Sequence, residues 1–140
     1  EVICWGSGEP LREFLYVDDL AEACIFALRN WNITSDDAPR DSSSNKLAWL
    51  NVGSGKGVTI KKLVHEIVNC KNIKSKPNIV FETSKKSGGK VGDRKRVLNT
   101  NLAKKYKINN KTSLSKGLFE TIDWYLKNKK KLKSRYNYFA

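Results

Sequence analysis

Ile60, Leu63, Val64, Ile67 and Val68 stand at i, i+3, i+4, i+7 and i+8. That spacing puts five apolar side chains on one face of an α-helix. Thr59 precedes them and can cap the helix. Before it lie the apolar run LAWLNV, 47–52, and the turn GSGKG. The segment therefore reads as a buried strand, a glycine turn and an amphipathic helix over 59–70. A chain with this unit at its centre has to pack the helix face against other elements, which points to a mixed helix-and-strand domain.

The glycine turn, LNVGSGKGVT, has the look of a phosphate cradle, and its spacing can be tested. A phosphate-binding P-loop needs Gly, four residues, then Gly-Lys-Ser/Thr. Here Gly57 follows Lys56, and Leu50 occupies the place of the first glycine. A dinucleotide fingerprint needs G-x-G-x-x-G, and Val58 stands where its third glycine belongs. Both tests fail. The turn reads as a strand-to-helix connection with glycines for positive φ. A helix N-terminus still attracts anions, so a weak ligand role for it remains open.

Elsewhere, EFLYV, 13–17, has strand composition, and Asp18 or Asp19 can cap a helix after it. Leu20, Cys24, Ala27, Leu28 and Trp31 recur at helical spacing, which makes Cys24 a core position. Residues 32–46 are polar and rich in turn formers, hence a surface loop. NIVFET, 78–83, is a strand candidate, 84–93 a loop, 94–99 a brief extended piece and 101–106 a short helix. A last helix starts near Thr112 or Ser113, either of which could cap it, and carries Leu114, Leu118, Ile122, Tyr125 and Leu126. The fold class is α/β, with an α+β-like order of short strands and three or four helices over 1–128. The basic tail, KNKKKLKSRYNYFA, is expected to fray, and 129–140 is set apart from the domain.

The chain carries a net charge of +13, unevenly spread. Residues 1–55 hold nine acidic and four basic residues, and 56–140 hold five acidic and 23 basic. A basic half invites a polyanion. Yet 21 of the 27 basic residues are lysines accompanied by 13 asparagines, and no aromatics interleave with them as a single-strand platform needs. A nucleic-acid partner is therefore not expected. No run of 18 apolar residues supports a membrane span. Cys4, Cys24 and Cys70 are odd in number and form no Cys-x-x-Cys pair, which fits a reducing, cytoplasmic setting without a disulfide scaffold or metal site. A reactive role for Cys4 stays open. The chain begins at Glu1 and has no methionine, so it reads as the C-terminal part of a longer protein.

WGSGEPLREFLYVDDLAEAC, 5–24, resembles a signature of the extended short-chain dehydrogenase/reductases that act on nucleotide sugars. It is similar to the members that form GDP-L-fucose, whose C-terminal substrate region opens on Trp-Gly-x-Gly-x-Pro-x-Arg-Glu-Phe-Leu-x-Val-Asp-Asp-Leu-Ala. LNVGSGKGVTIKKLVHEI, IVFETSKK, RKRVLNTNLAKK and TSLSKGLFETIDWYLKN resemble later segments, in family order, to about residue 128. The resemblance implies a whole enzyme that epimerises and reduces GDP-4-keto-6-deoxy-mannose with NADP(H), and that pairs as a homodimer. In that family the cofactor and the catalytic residues belong to an N-terminal Rossmann domain, which is absent here. This chain would then hold the GDP-sugar, bind no cofactor and show no turnover alone. A different nucleotide-sugar epimerase or dehydratase, or a basic binding module, are the alternatives.

Arg12 is the leading substrate-binding candidate. A diphosphate calls for a fixed, planar donor fork, which arginine supplies, and the resemblance places the arginine of Arg-Glu-Phe on the nucleotide diphosphate. A surface ion pair with Glu13 or Asp18 is the competing role. Trp5 falls at the family's nucleotide-side position, with core packing as its alternative. The loop 84–96 departs from the pattern: Ser87 replaces the aspartate that contacts substrate, and about four extra residues precede Lys95 and Arg96. Asp93 is a possible replacement. Arg94, Lys95 and Arg96 form a basic group whose counterpart in related epimerases meets a phosphate; Lys95 and Arg96 are taken as site residues. Asp18 and Asp19 are read as helix-start residues, not a catalytic pair, and His65 as a solvated helix residue.

Overall fold

The structure, a computed structural model, describes residues 1–83 and 93–132. Ser87 lies outside them. In chain order the elements are β1 (Val2–Trp5), β2 (Leu11–Glu13), α1 (Val17–Asn30), β3 (Gly57–Thr59), α2 (Ile60–Val68), β4 (Ile79–Glu82), β5 (Lys95–Arg96), α3 (Asn101–Lys105) and α4 (Leu114–Leu132). Two small sheets result. β1 and β4 run parallel with Val2 opposite Ile79. The other sheet has the order β3-β2-β5, with β2 antiparallel to β3 and parallel to β5.

Helix α2 forms as its sequence dictates. The Thr59 hydroxyl accepts the Lys62 N–H at 3.1 Å, a cap typically worth ~1 kcal/mol. The preceding N–H groups are also satisfied: Ile60 donates to the Pro10 carbonyl at 3.2 Å and Lys61 to the Gly8 carbonyl at 2.8 Å. The helix start is thus closed by the chain's own loop 8–10, so three of its four open N–H donors already have partners. Those three donors are therefore not available to an external anion.

The strand expected over 13–17 is shorter and earlier. β2 stops at Glu13 because its partner β3 begins at Gly57. Tyr16 is the extended residue before α1, and its side chain makes no capping bond. Asp18 and Asp19 lie in the first turn of α1, where a negative charge suits the helix dipole, but neither caps it. Asp19, only 7% exposed, instead accepts bonds from the Thr112 N–H (2.9 Å), the Lys111 N–H (3.2 Å) and the Thr112 hydroxyl (3.1 Å). It fastens α1 to the segment that leads into α4. Ser113 then caps α4, accepting from the Lys116 N–H at 3.3 Å.

The core is small. Ala23, Ala103 and Ile108 are buried, with Phe26, Leu50 and Val52 packed against them. The helical stripe expected on α1 is not the buried one. Asp19 and Ala23 face inward, while Leu20, Cys24 and Leu28 are exposed, Leu28 at 87%. Periodicity found the helix; nothing in the described residues covers that face. LAWLNV is likewise not a strand. Among the described residues the run pairs with no strand, so its apolar composition has no ladder to join. The 32–46 loop is more ordered than expected: Arg40 bridges to Lys46, and Ala38 is 3% exposed. Helix α4 runs to Leu132, into the stretch expected to fray. Among the described residues no helix is long and apolar enough to cross a membrane.

Candidate functional site

The parallel pairing of β2 with β5 sets Arg12 opposite Arg96 and Leu11 opposite Lys95. Side chains alternate along a strand, so the two arginines share one face of the sheet and Lys95 belongs to the other. Residues 84 positions apart in sequence thus become cross-strand neighbours. Two like charges this close need a compensating group.

Asp93 supplies it. The Arg12 guanidinium donates from Nη1 to the Leu11 carbonyl (2.8 Å) and to the Asp93 carbonyl (2.9 Å). Arg96 donates from Nε to the Asp93 carboxylate at 2.7 Å. One residue therefore receives both arginines, one on its backbone and the other on its side chain. Among the described residues no carboxylate pairs with Arg12, so the ion pair with Glu13 or Asp18 is not what holds it. Arg12 is half-buried; Arg96 and Asp93 are about two-thirds exposed, at 68% and 65%. Lys95 and Arg96 also line an open cleft of about 550 Å³ with Glu13, Leu15, Val52 and Gly53.

Glu13 decides the fate of the glycine turn. Its carboxylate accepts the Gly55 N–H at 2.7 Å and the Leu98 N–H at 2.6 Å, with the Ser54 hydroxyl at 3.4 Å. Gly55 takes φ of +67°, and a Cβ on Gly53 would overlap the Glu13 carboxylate. The turn does cradle an anion, and that anion is the chain's own. Glu13 also locks the turn and Leu98 onto the end of β2, one residue from Arg12.

The other candidates lie apart from the arginine pair. Trp5 ends β1, in the other sheet, and is 75% exposed, so it packs in no core among the described residues. His65 is on the exposed side of α2. The three cysteines are free thiols, Cys24 exposed. Among the described residues there is no group of three or more His, Cys, Asp or Glu placed to hold a metal ion. A second cleft of about 480 Å³ lies between β3, α2 and the start of α4, lined by Phe14, Tyr16, Lys56 and Leu118 among others. Beside it the Tyr16 hydroxyl is held by Glu120, which pushes its pKa up to about 12. Sequence reasoning missed Glu13 altogether, since no local pattern tells that its partners are 42 and 85 residues away. Asp93 had a local signal, an acid three residues before Arg96.

The arrangement thus offers two guanidinium groups for an anion and, among the described residues, no acid–base or nucleophile–base pair beside them. The model of the NAD dependent epimerase/dehydratase family matches residues 1–37. The chain is 36% identical over 128 residues to a putative GDP-L-fucose synthase 2 of Arabidopsis thaliana, covering 91% of this chain and 33% of that one. It is 32% identical over 128 residues to the GDP-L-fucose synthase of Escherichia coli K12, covering 91% and 37%. The solved structure of DdhaC superposes with a TM-score of 0.65 at 30% identity, over 91% of this chain and 33% of that one. The chain spans about one third of the length of these relatives.

Proposed function

We propose that this chain, similar over nine-tenths of its length to the C-terminal portion of GDP-L-fucose synthases, is the nucleotide-sugar-binding part of an NADPH-dependent 3,5-epimerase/4-reductase. The whole enzyme would convert GDP-4-keto-6-deoxy-mannose to GDP-L-fucose in the cytoplasm, as a homodimer. The observation that carries the proposal is the pairing of Arg12 with Arg96 on one sheet face. Two planar, permanently charged forks suit the two linked phosphates of a nucleoside diphosphate. Trp5, exposed at the end of β1, offers an indole face for the base or sugar.

The chain's part is to hold and orient. Fixing a substrate against a reacting group can account for a large share of a rate enhancement without any chemistry by the holder. Two places that a dinucleotide phosphate would favour are occupied by the chain itself: the glycine turn holds Glu13, and the α2 N-terminus is bonded to Gly8 and Pro10. The apolar face of α1, with Leu20 and Leu28, is then a surface for the remainder of the protein to cover.

The test is NADPH oxidation in the presence of the keto-sugar. The complete protein is expected to turn over and this chain alone is not; Arg12→Ala in the complete protein is expected to raise KM at least tenfold. Turnover by the isolated chain overturns the division of labour. The altered loop with Ser87 favours a second reading, another nucleotide-sugar epimerase or dehydratase. Preference for a UDP-sugar over a GDP-sugar in the same assay would select it.

A further inference from the structure

We infer that Asp93 is a built-in competitor for the phosphate site, an internal anion that holds Arg96 while the site is empty and limits how tightly the site keeps a nucleoside diphosphate. The inference rests on Arg12 and Arg96 being the diphosphate-holding pair, and it goes beyond that reading by assigning a role to the acid between them.

Three observations carry it. Asp93 meets both arginines, but through different groups: Arg12 binds its backbone carbonyl and Arg96 its carboxylate. The Arg96–Asp93 pair is about two-thirds exposed on both sides, so water and salt screen it and an incoming anion can take its place. Among the described residues Arg12 bonds only to carbonyls, so its charge is not paired there and is available to a ligand. A diphosphate seated on both arginines therefore lies within a few ångströms of a third negative group. Either Arg96 exchanges the carboxylate for a phosphate, or the two anions share one guanidinium. Both outcomes cost affinity compared with a neutral residue at 93, and the cost grows with the charge on the ligand. The benefit in the empty site is that two adjacent guanidinium groups are kept together instead of repelling each other. For a protein that has to release a charged product, a moderate grip is useful.

Asp93→Asn separates charge from shape. The asparagine keeps the backbone carbonyl for Arg12 and an acceptor oxygen for Arg96, and removes only the charge. The probes are GDP and GMP, titrated into the complete protein at low and at physiological salt. The expected result is tighter GDP binding to the variant, about two- to fivefold at low salt, with a smaller gain for GMP and a gain that shrinks as salt rises. The gain is expected to vanish in an Arg96→Gln background. Unchanged or weaker GDP binding to Asp93→Asn overturns the inference, because a carboxylate that only orients Arg96 would cost affinity when removed. A wild-type protein that binds neither nucleotide, in either salt, overturns the diphosphate reading and the inference with it.

Discussion

Replacing Glu13 with alanine should loosen the arginine sheet at two specified amides. The Glu13 carboxylate accepts from the Gly55 N–H at 2.7 Å and the Leu98 N–H at 2.6 Å, both short enough to count as charge-assisted bonds. A hydrogen bond to a charged group contributes about 1.5–3 kcal/mol. Glu13 is half-buried, so water recovers part of the loss at each amide when the carboxylate is removed. A net local cost of about 2–3 kcal/mol follows, equivalent to roughly 30- to 150-fold in an opening equilibrium. Native-state hydrogen exchange reads this directly at residues 55 and 98, without a global unfolding transition. The α2 amides of residues 64–68, bonded within their own helix, serve as the internal control. Glu13→Gln should fall between, since its amide keeps one acceptor oxygen but points an NH2 at the other donor. If Gly55 and Leu98 exchange no faster in Glu13→Ala than in the wild type, Glu13 does not close the glycine turn, and an anion role for that turn is open again.

Other outcomes follow from the same contacts. Asp19→Ala removes three bonds from a 7%-exposed carboxylate, so it should destabilise the complete protein by about 2–4 kcal/mol, whereas exposed Asp18→Ala should cost well under about 1 kcal/mol; urea midpoints at constant m-value compare them. Tyr16 should ionise near pH 12 in alkaline ultraviolet titration, and Glu120→Gln should bring it back toward its ordinary 10. Between those values the unfolded chain gives up a proton that the folded chain keeps, so this contribution is present below pH 10 and drains away as pH rises through 12. Leu28→Lys should leave the isolated chain's stability unchanged, since Leu28 is 87% exposed, yet reduce its self-association and dye binding; in the complete protein the same change should destabilise.

What the sequence disclosed was local. The α2 stripe, its Thr59 cap and the Ser113 cap of α4 need only residues within one or two turns, and each stands as the spacing implied. Strand β4 and helix α3 were likewise readable in place. The failures are all questions of what lies opposite. LAWLNV has strand composition, but a strand exists only beside a partner, and among the described residues the run pairs with none. The α1 periodicity says which residues share a face; it cannot say that Ala23 would be covered and Leu28 left open. Arg12 and Arg96 were each legible as phosphate-seeking residues, whereas their alignment depends on a parallel pairing across most of the chain. Asp19 does lie in the first turn of α1, but its carboxylate bonds to Thr112, 93 positions away, instead of capping the helix.

The most direct test of the central claim is the affinity of GDP for the complete protein in a cycle of Arg12→Ala, Arg96→Ala and the double variant, measured by calorimetry. Each single change should weaken GDP binding about 10- to 100-fold, the range of a lost hydrogen-bonded charge. GMP should lose less than GDP when Arg96 is removed. The double variant should lose less than the product of the two single effects, because both arginines grip one diphosphate beside one Asp93. GDP affinity unchanged by Arg12→Ala would contradict the assignment of this sheet face as the diphosphate site.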